Sequence, residues 1–182
     1  MLRSFGGVSL EPTLPTNGSL QARKAAALKA AGLRCVMGSL DSPDDAVFRR
    51  MNGMDFPVTD VLAGIEAALA SGLGSVKVNM VVKRGTNNQK ILQLARHFRE
   101  QYGGSVTLRF IEYMDVSATK GWRMHEVPSS AEVIGQIAAG VAVRAIRRKR
   151  AGKTVQRRAY ASGGGEIGVI SSVTQAFRRI GL

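Results

Sequence analysis

Two polar side chains, Lys77 and Asn79, stand inside an otherwise apolar run over 76–82 that contains neither glycine nor proline. Four of the seven residues in this run are valines, and β-branched residues are typical of strands. Because side chains alternate across a strand, Val76, Val78, Met80 and Val82 face one way. Lys77, Asn79 and Val81 face the other. The pattern predicts either a barrel strand whose polar face lines an interior site or a solvent-facing edge strand.

Other candidate residues lie at the ends of predicted strands. Ser39 closes the strand that begins at Cys35, and Met114 closes the strand that begins at Val106. Active sites of barrel enzymes form at the carboxyl ends of the strands and in the loops that follow them. Arg109, together with Lys77 on the adjacent strand, supplies two cations that suit a polyphosphate. Singly these residues read as an ordinary serine, a core methionine and strand charges, but together they favour an anionic ligand.

The sequence supports neither a metal site nor a catalytic nucleophile. The single cysteine, Cys35, rules out an internal disulfide and any all-cysteine metal or cluster site within one chain. His97 and His125 have no third ligand at metal spacing, so we predict no metal ligands. No serine or cysteine has a recognisable base partner nearby, so we assign no catalytic residue.

One motif match lacks the context that its chemistry needs. Gly163, Gly165 and Gly168 fit GxGxxG, which binds dinucleotides when it follows a strand and opens a helix. Here the glycines lead into a β-branched run, which predicts a strand over 167–173 instead.

Composition bounds the class of protein. The chain has 182 residues, 45% of them hydrophobic, which is enough for one domain with a core. No apolar run approaches the ~20 residues of a membrane helix. The first residues lack the apolar centre of a signal peptide, so we expect a cytoplasmic protein without membrane partners.

The net charge of +13 invites a nucleic-acid reading, but the charge is unevenly distributed. Residues 141–182 hold ten basic residues against one acid, and the rest of the chain holds 16 against 12. A basic tract over 141–158 contains no aromatic residue, whereas single-strand binding proteins interleave aromatics with cations. A small basic nucleic-acid-binding protein is therefore the alternative hypothesis.

The predicted elements alternate between strands and helices. Strands are predicted over 35–40, 76–82 and 106–114. Helices are predicted over 20–31, from an opening at 41–45, over 59–70 and from about 89 to 102. We expect Pro43 in the first turn of the second helix, and Asn87 and Asn88 as caps of the fourth. Ser129 and Glu132 form a capping box for a further helix to about Ala138. Such alternation predicts an α/β fold with a parallel sheet, as an open doubly wound sheet or a barrel, and residues 140–160 show no usable period.

Seven segments occur in an order and spacing that resemble a known family. They are Thr16-Asn17-Gly18, Ser39-Leu40-Asp41, FRRMNG at 48–53, VKVNMVVKRGTN at 76–87, LRFIEYMD at 108–115, GWRM at 121–124 and GEIGVISSVTQAF at 165–177. Together they resemble the GTP 3′,8-cyclase family of molybdenum cofactor biosynthesis, whose members are radical S-adenosylmethionine (SAM) enzymes and lyases. The family converts GTP to (8S)-3′,8-cyclo-7,8-dihydroguanosine 5′-triphosphate.

The resemblance implies a fold, cofactors and site residues. The fold would be the latter half of a radical SAM (β/α)6 TIM-like barrel, with the start of the family's C-terminal region. The cofactors would be a 4Fe–4S cluster and SAM, with GTP as substrate. Ser39 and Met114 match SAM contacts of the family, and Lys77 and Arg109 match GTP contacts. Residues 1–15 would be an atypical N-terminal segment, 16–115 the partial barrel, and 116–182 a truncated C-terminal region that includes the basic tract.

The departures from the family pattern are also informative. The family's CxxxCxxC motif lies well upstream of the Thr-Asn-Gly turn, and only 15 residues precede Thr16. The family's second cluster begins with a cysteine after SVTQAF, where this chain has Arg178. We therefore expect an inactive fragment, truncated at both ends. Three strands of a six-stranded barrel would leave open sheet edges through which the fragment self-associates.

Overall fold

The computed structural model describes residues 4–5, 8–9, 13–16, 21–53, 55–114, 123–146 and 155–171. It contains two compact units, and each is described by itself. Unit 1 comprises Met1–Asn79 with Ser105–Thr107, and unit 2 comprises Met80–Gly104 with Leu108–Leu182. Two strands, at 75–82 and 106–112, therefore contribute residues to both units.

Unit 1 is built from parallel strands and helices. In chain order its elements are β1 (Ser4–Phe5), β2 (Val8–Ser9), β3 (Thr13–Thr16), α1 (Gln21–Ala30), β4 (Cys35–Ser39), α2 (Asp45–Asn52), α3 (Val58–Ala70) and the first residues of β5 (Ser75–Val82). Strands β1 and β2 form an antiparallel pair. Strand β4 lies between β3 and β5 and is parallel to both, which confirms the predicted α/β fold and parallel sheet.

Local sequence signals set the ends of α2. The side chain of Asp44 accepts a hydrogen bond from the Val47 N–H at 3.0 Å, and Gly53 ends the helix with φ +66°, a conformation that favours glycine. Asp44 is the N-cap, so Pro43 lies before the helix and the prediction that it occupies the first turn is wrong. The carboxylate of Asp45 accepts from the Val58 N–H at 2.8 Å, which ties the start of α3 to α2.

The core of unit 1 lies between the helices and one face of the strands. It contains buried residues of β4, β5, α2 and α3, together with Leu40, which follows β4: Val36, Leu40, Phe48, Val61, Ile65, Ala68, Val76 and Val78. The other face of β5 is only half-buried, as the alternation over 76–82 predicts.

Unit 2 contains a mixed sheet and two helices. In chain order it holds the end of β5, a 3-10 turn (Asn88–Lys90), α4 (Ile91–Tyr102), the end of β6 (Val106–Glu112), a 3-10 turn (Met124–Glu126), α5 (Ser130–Ala138), β7 (Val143–Ala145), β8 (Val155–Tyr160) and β9 (Glu166–Ile170). The strand order within the unit is β5-β6-β9-β8-β7. Strand β9 is parallel to β6 and antiparallel to β8, and β8 is antiparallel to β7.

Two predicted caps behave differently in unit 2. Ser129 and Glu132 form the predicted capping box at the start of α5. Asn87 and Asn88, in contrast, do not cap α4. The buried Asn87 side chain accepts from the Lys83 N–H and donates to the Val81 carbonyl, both at 2.8 Å, and Asn88 accepts from the Gly85 N–H at 2.7 Å. Both asparagines therefore hold the turn that follows β5.

Strands β7 and β8 occupy the stretch without a usable period. Five of the six residues of β8 are half-buried, so the alternation that marks a strand with one buried face is missing. On the β6 side, the expectation of an open edge after the third predicted strand is wrong, because β9 pairs with β6 and is followed in the sheet by β8 and β7. Within the described residues, no helix is long and apolar enough to cross a membrane.

Candidate functional site

In unit 1, polar side chains gather on one face of β4 and β5. Met37 is in register with Lys77, and Ser39 is in register with Asn79. Residues in register on neighbouring strands share a face, so Ser39 lies beside Asn79 and one residue pair beyond Lys77. Lys77 and Asn79 are half-buried and Ser39, the last residue of β4, is exposed. The structure therefore brings the predicted residues Ser39 and Lys77 to the same face.

Strand β5 is an inner strand and not an edge strand. It pairs with β4 in unit 1, and in unit 2 its last residue, Val82, accepts a hydrogen bond from the Tyr113 N–H at 3.3 Å. The alternative that Lys77 and Asn79 decorate a solvent-facing edge is therefore wrong. Their face is instead a polar surface on a strand that has neighbours on both sides.

The side-chain oxygen of Asn79 marks this surface as suited to a ligand. Asn79 Oδ1 is buried and has no hydrogen-bond partner among the described residues. An acceptor that is buried without a partner costs about 1–3 kcal/mol, so most such atoms in folded proteins are paired. A ligand N–H or O–H group would satisfy Asn79 beside the Ser39 hydroxyl and the Lys77 ammonium group. The sequence places Asn79 on the polar face but gives no sign that its oxygen lacks a partner.

In unit 2, Arg109 lies on the face of β6 that points away from α5. Leu108, Phe110 and Glu112 are buried on the opposite face, where Glu112 contacts α5, while Arg109 is half-buried. Arg109 is in register with Gly168 of β9. A Cβ atom built on Gly168 would lie 3.2 Å from Arg109 Cγ, so the absence of a side chain at Gly168 makes room for the arginine.

Met114 lies two residues beyond the end of β6, because the strand ends at Glu112 and not at Met114 as predicted. Its side chain is 51% exposed, which is unusual for a large apolar side chain. Exposure leaves the thioether accessible to a ligand. Ser39 and Lys77 belong to unit 1, whereas Arg109 and Met114 belong to unit 2.

The turn after β5 adds two basic residues that the sequence reasoning missed. Arg84 donates to the His125 carbonyl at 2.9 Å and to the Glu132 carboxylate at 2.7 Å. Lys83 Nζ lies 3.3 Å from Glu126 and 4.6 Å from the centre of the Tyr113 ring. Burial alone would lower the pKa of Lys83, but the Glu126 carboxylate and Tyr113 outweigh it and raise that pKa. These contacts fasten the turn to the segment that leads into α5.

A buried carboxylate, Glu112, was also missed. Glu112 Oε1 accepts from the Ser130 N–H at 3.1 Å and from the Ser130 hydroxyl at 3.0 Å. The hydroxyl oxygens of Ser130 and Ser171 are 2.6 Å apart, and all three residues are buried. The signal was present in the sequence, since alternation places Glu112 on the same face as Leu108 and Phe110.

The residues of this chain do not fit a 4Fe–4S cluster. Such clusters are held by cysteine thiolates, and Cys35, the single cysteine, is buried with its thiol directed to the Val36 carbonyl at 3.9 Å. In the part of the chain that the structure describes, no three His, Cys, Asp or Glu side chains are grouped so that they could hold a metal ion.

Several sequence predictions fall in or near the basic tract. Gly163 and Gly165 lie in the turn between β8 and β9, so the glycine motif precedes a strand, as the predicted strand implies. In the tract itself, Arg144 belongs to β7 and Arg157 and Arg158 belong to β8. Residues 17–18, 115–122, 147–154 and 172–177 lie outside the described residues, and with them parts of the tract and of the family segments.

Comparison with protein families gives two matches that follow one another along the chain. Residues 8–98 match the model of the radical SAM superfamily, and residues 106–179 match the model named Molybdenum Cofactor Synthesis C. The first match covers half of the chain.

Curated relatives agree with these matches. GTP 3′,8-cyclase of Xanthomonas axonopodis pv. citri is 43% identical over 90% of this chain and 48% of the relative, and that of Acidothermus cellulolyticus is 43% identical over 91% and 45%. That of Staphylococcus saprophyticus is 34% identical over 90% and 47%. The chain thus spans about half the length of the curated relatives it matches.

A solved structure supports the fold. A radical SAM methyltransferase from Sphaerobacter thermophilus matches 70% of this chain and 37% of its own with a TM-score of 0.52. At 19% sequence identity, this likeness speaks for the fold alone. It supports the predicted partial radical SAM barrel over an unrelated doubly wound sheet. By fold, family model and sequence identity, the chain belongs to the radical SAM superfamily and is similar within it to the GTP 3′,8-cyclases.

Proposed function

We propose that this chain carries a GTP-binding part of a GTP 3′,8-cyclase of molybdenum cofactor biosynthesis. The observation that carries the proposal is the polar face of β5, where half-buried Lys77 and the unpaired oxygen of Asn79 stand in a chain 43% identical to GTP 3′,8-cyclase. The superfamily match supports the barrel in which such a face would line the interior.

Residue roles follow from the family resemblance and from the chemistry of each group. Lys77 and Arg109 each contact phosphate oxygens of GTP, because charge-assisted hydrogen bonds are the strongest polar contacts that these side chains can make. Ser39 and Met114 contact SAM through a hydroxyl and a thioether. Asn79 accepts a hydrogen bond from a ligand donor, which would satisfy its buried oxygen.

The chain supplies binding groups and we assign it no catalytic residue. A 4Fe–4S cluster and SAM are the cofactors of the superfamily, where they generate the radical that begins the reaction. One buried cysteine does not fit the cluster, so no step of radical chemistry is derived from this chain. Cyclase activity, a cytoplasmic location, the division at residues 15 and 115, self-association and nucleic-acid binding all stay predictions.

Calorimetric titration of GTP into the full chain tests the proposed contacts. We expect Lys77→Ala and Arg109→Ala each to weaken GTP binding by about tenfold, the effect of losing one charge-assisted contact. Lys90→Ala and Arg96→Ala are matched controls, because Lys90 is half-buried like Lys77 and Arg96 is an exposed arginine of α4. GTP binding that is equal in the site variants and the controls would remove Lys77 and Arg109 from the site.

A further inference from the structure

A second arginine lies on the same face of the unit 2 sheet as Arg109. Arg109 is in register with Gly168 of β9, and Gly168 is in register with Arg157 of β8. Residues directly paired across strands share a face, so the two arginines flank a position that has no side chain. Neighbouring strands lie about 4.8 Å apart, which separates the two backbones by about 10 Å. The Arg109 stem and Val155 fill the space next to Gly168, where a Cβ atom would lie 3.2 Å from Arg109 Cγ and 3.4 Å from Val155 Cγ1. Both guanidinium groups can reach toward one elongated anion that lies over these side chains.

The carboxylate of Glu166 binds the Arg157 guanidinium group as an anionic ligand would. Arg157 Nε donates to Glu166 Oε1 at 3.0 Å, and its Nη2 donates to the other carboxylate oxygen. This two-point geometry is the one in which arginine binds phosphate oxygens as well as carboxylates. Both side chains are about one-quarter exposed, so the pair is shielded yet open to exchange with a ligand.

The opposite face of the same strand supplies a contrast. Arg158 is in register with Ile167, which is fully buried on the face that packs toward α5. It carries the same charge as Arg157, one residue away, but points to the other side of the sheet. A purely nonspecific attraction by the basic tract would use both arginines, whereas a site above Gly168 would use only Arg157.

From these contacts we propose that Arg109, Gly168 and Arg157 form a polyphosphate subsite in which a ligand phosphate replaces Glu166 as the partner of Arg157. The subsite binds the phosphate chain of a nucleoside triphosphate. The identification of that nucleotide as GTP rests on the proposed function. Gly168 leaves room for the Arg109 side chain to lie across β9 toward Arg157, and Glu166 neutralises Arg157 until the ligand arrives.

Three variants of the full chain test the subsite against GTP and against inorganic tripolyphosphate. Arg157→Gln should weaken binding of both ligands by about tenfold, because it removes one charge-assisted partner. Gly168→Ala should weaken both several-fold while it keeps every charge, because its methyl group displaces Arg109. Glu166→Gln should tighten both several-fold, because it removes the competing carboxylate. Arg158→Gln is the matched control and should bind both ligands like the wild type.

The outcomes separate the subsite from the proposed function. If Arg157→Gln and Gly168→Ala both weaken tripolyphosphate binding, the subsite is supported, whatever the affinity for GTP. If the chain binds GTP no more tightly than tripolyphosphate, the proposed function is contradicted, because the guanosine then contributes nothing. GTP binding that depends on Lys77 but is unchanged by Arg157→Gln and Gly168→Ala would overturn the subsite and leave the function standing. Equal losses in Arg157→Gln and Arg158→Gln would also overturn it, as would a wild-type chain that binds neither ligand.

Discussion

Among single residues, Glu112 shows how a buried charge can be made stable. Its carboxylate is 2% exposed, and burial of a charge without partners is costly. Ser130, the first residue of α5, supplies both an N–H and a hydroxyl donor, and the positive end of the helix dipole favours a carboxylate at this place. Glu112 thereby ties the end of β6 to the start of α5, close to the exposed Met114.

We predict that Glu112→Ala lowers the free energy of unfolding by about 1–3 kcal/mol, because it leaves the buried Ser130 N–H without its acceptor. Glu112→Gln should cost less, since its amide oxygen can still accept one of the bonds. Glu100→Ala, at an exposed position of α4, is the control and should change stability by no more than about 0.5 kcal/mol. Urea denaturation measures all three, and a Glu112→Ala chain as stable as the control would contradict the role.

Sequence reasoning located the polar face at the residue level but not its most telling atom. Alternation along 76–82 was sufficient to place Lys77 opposite the buried valines, because the period of a strand is local information. The unpaired oxygen of Asn79 and the Arg157–Glu166 pair depend on which strands become neighbours. That arrangement is nonlocal, so no pattern within one segment could reveal it.

Among the elements, the start of α5 holds the carboxylate of Glu132 in a network of hydrogen bonds and an ion pair. Hydrogen bonds from Arg84 and then from the Ser129 backbone and side chain lower the pKa of Glu132 to about 2 from an ordinary 4.5. Because its folded pKa is below its unfolded pKa, Glu132 stabilises the chain above about pH 4.5, and this contribution is lost as the pH falls toward 2. The side chain is 45% exposed, so solvent screening limits the contribution to about 1 kcal/mol.

The expected signature is a pH-dependent difference between the wild type and Glu132→Gln. Near neutral pH the wild type should be more stable by about 1 kcal/mol, and the difference should shrink between about pH 4.5 and pH 2. Urea denaturation at a series of pH values measures it. Arg84→Gln should move the loss of stability to higher pH, because it removes the first cause of the lowered pKa. A difference that is independent of pH would show that Glu132 acts through something other than its charge.

Helices were easier to predict than the late strands, for a physical reason. The apolar residues on one side of α3 and the capping box of α5 are both recognisable within short stretches of sequence. Both helices lie within about one residue of their predicted bounds. Strands β7 and β8 carry no such signal, because arginine side chains on both faces of β8 are half-buried. The place of β8 was decided by pairing with β9, which lies further along the chain, and β7 pairs in turn with β8.

For the chain as a whole, the net charge of +13 is not evenly distributed along the sequence. The described part of the basic tract contributes to a sheet, where Arg157 is paired with Glu166 and Arg144 is exposed. A different basic surface surrounds a cavity of about 270 Å³ in unit 1, which Lys29 and Arg34 line together with Gly72 and Gly74. We therefore expect this chain to attract any polyanion over a long range. Specific binding of GTP has to be distinguished from that attraction by the location of the residues whose properties change when GTP is added.

Amide hydrogen exchange with and without GTP, read by mass spectrometry on the full chain, tests most directly whether GTP binds at Lys77 and Arg109. We predict GTP-dependent protection of β5 at 75–82 and of β6 at 106–112, whereas α2 and α3 should exchange at unchanged rates. Adenosine triphosphate at the same concentration controls for the attraction of any triphosphate and should protect these strands less. Protection confined to residues 29–34 and 72–74, or no GTP-dependent protection in β5 and β6, would contradict the proposed function.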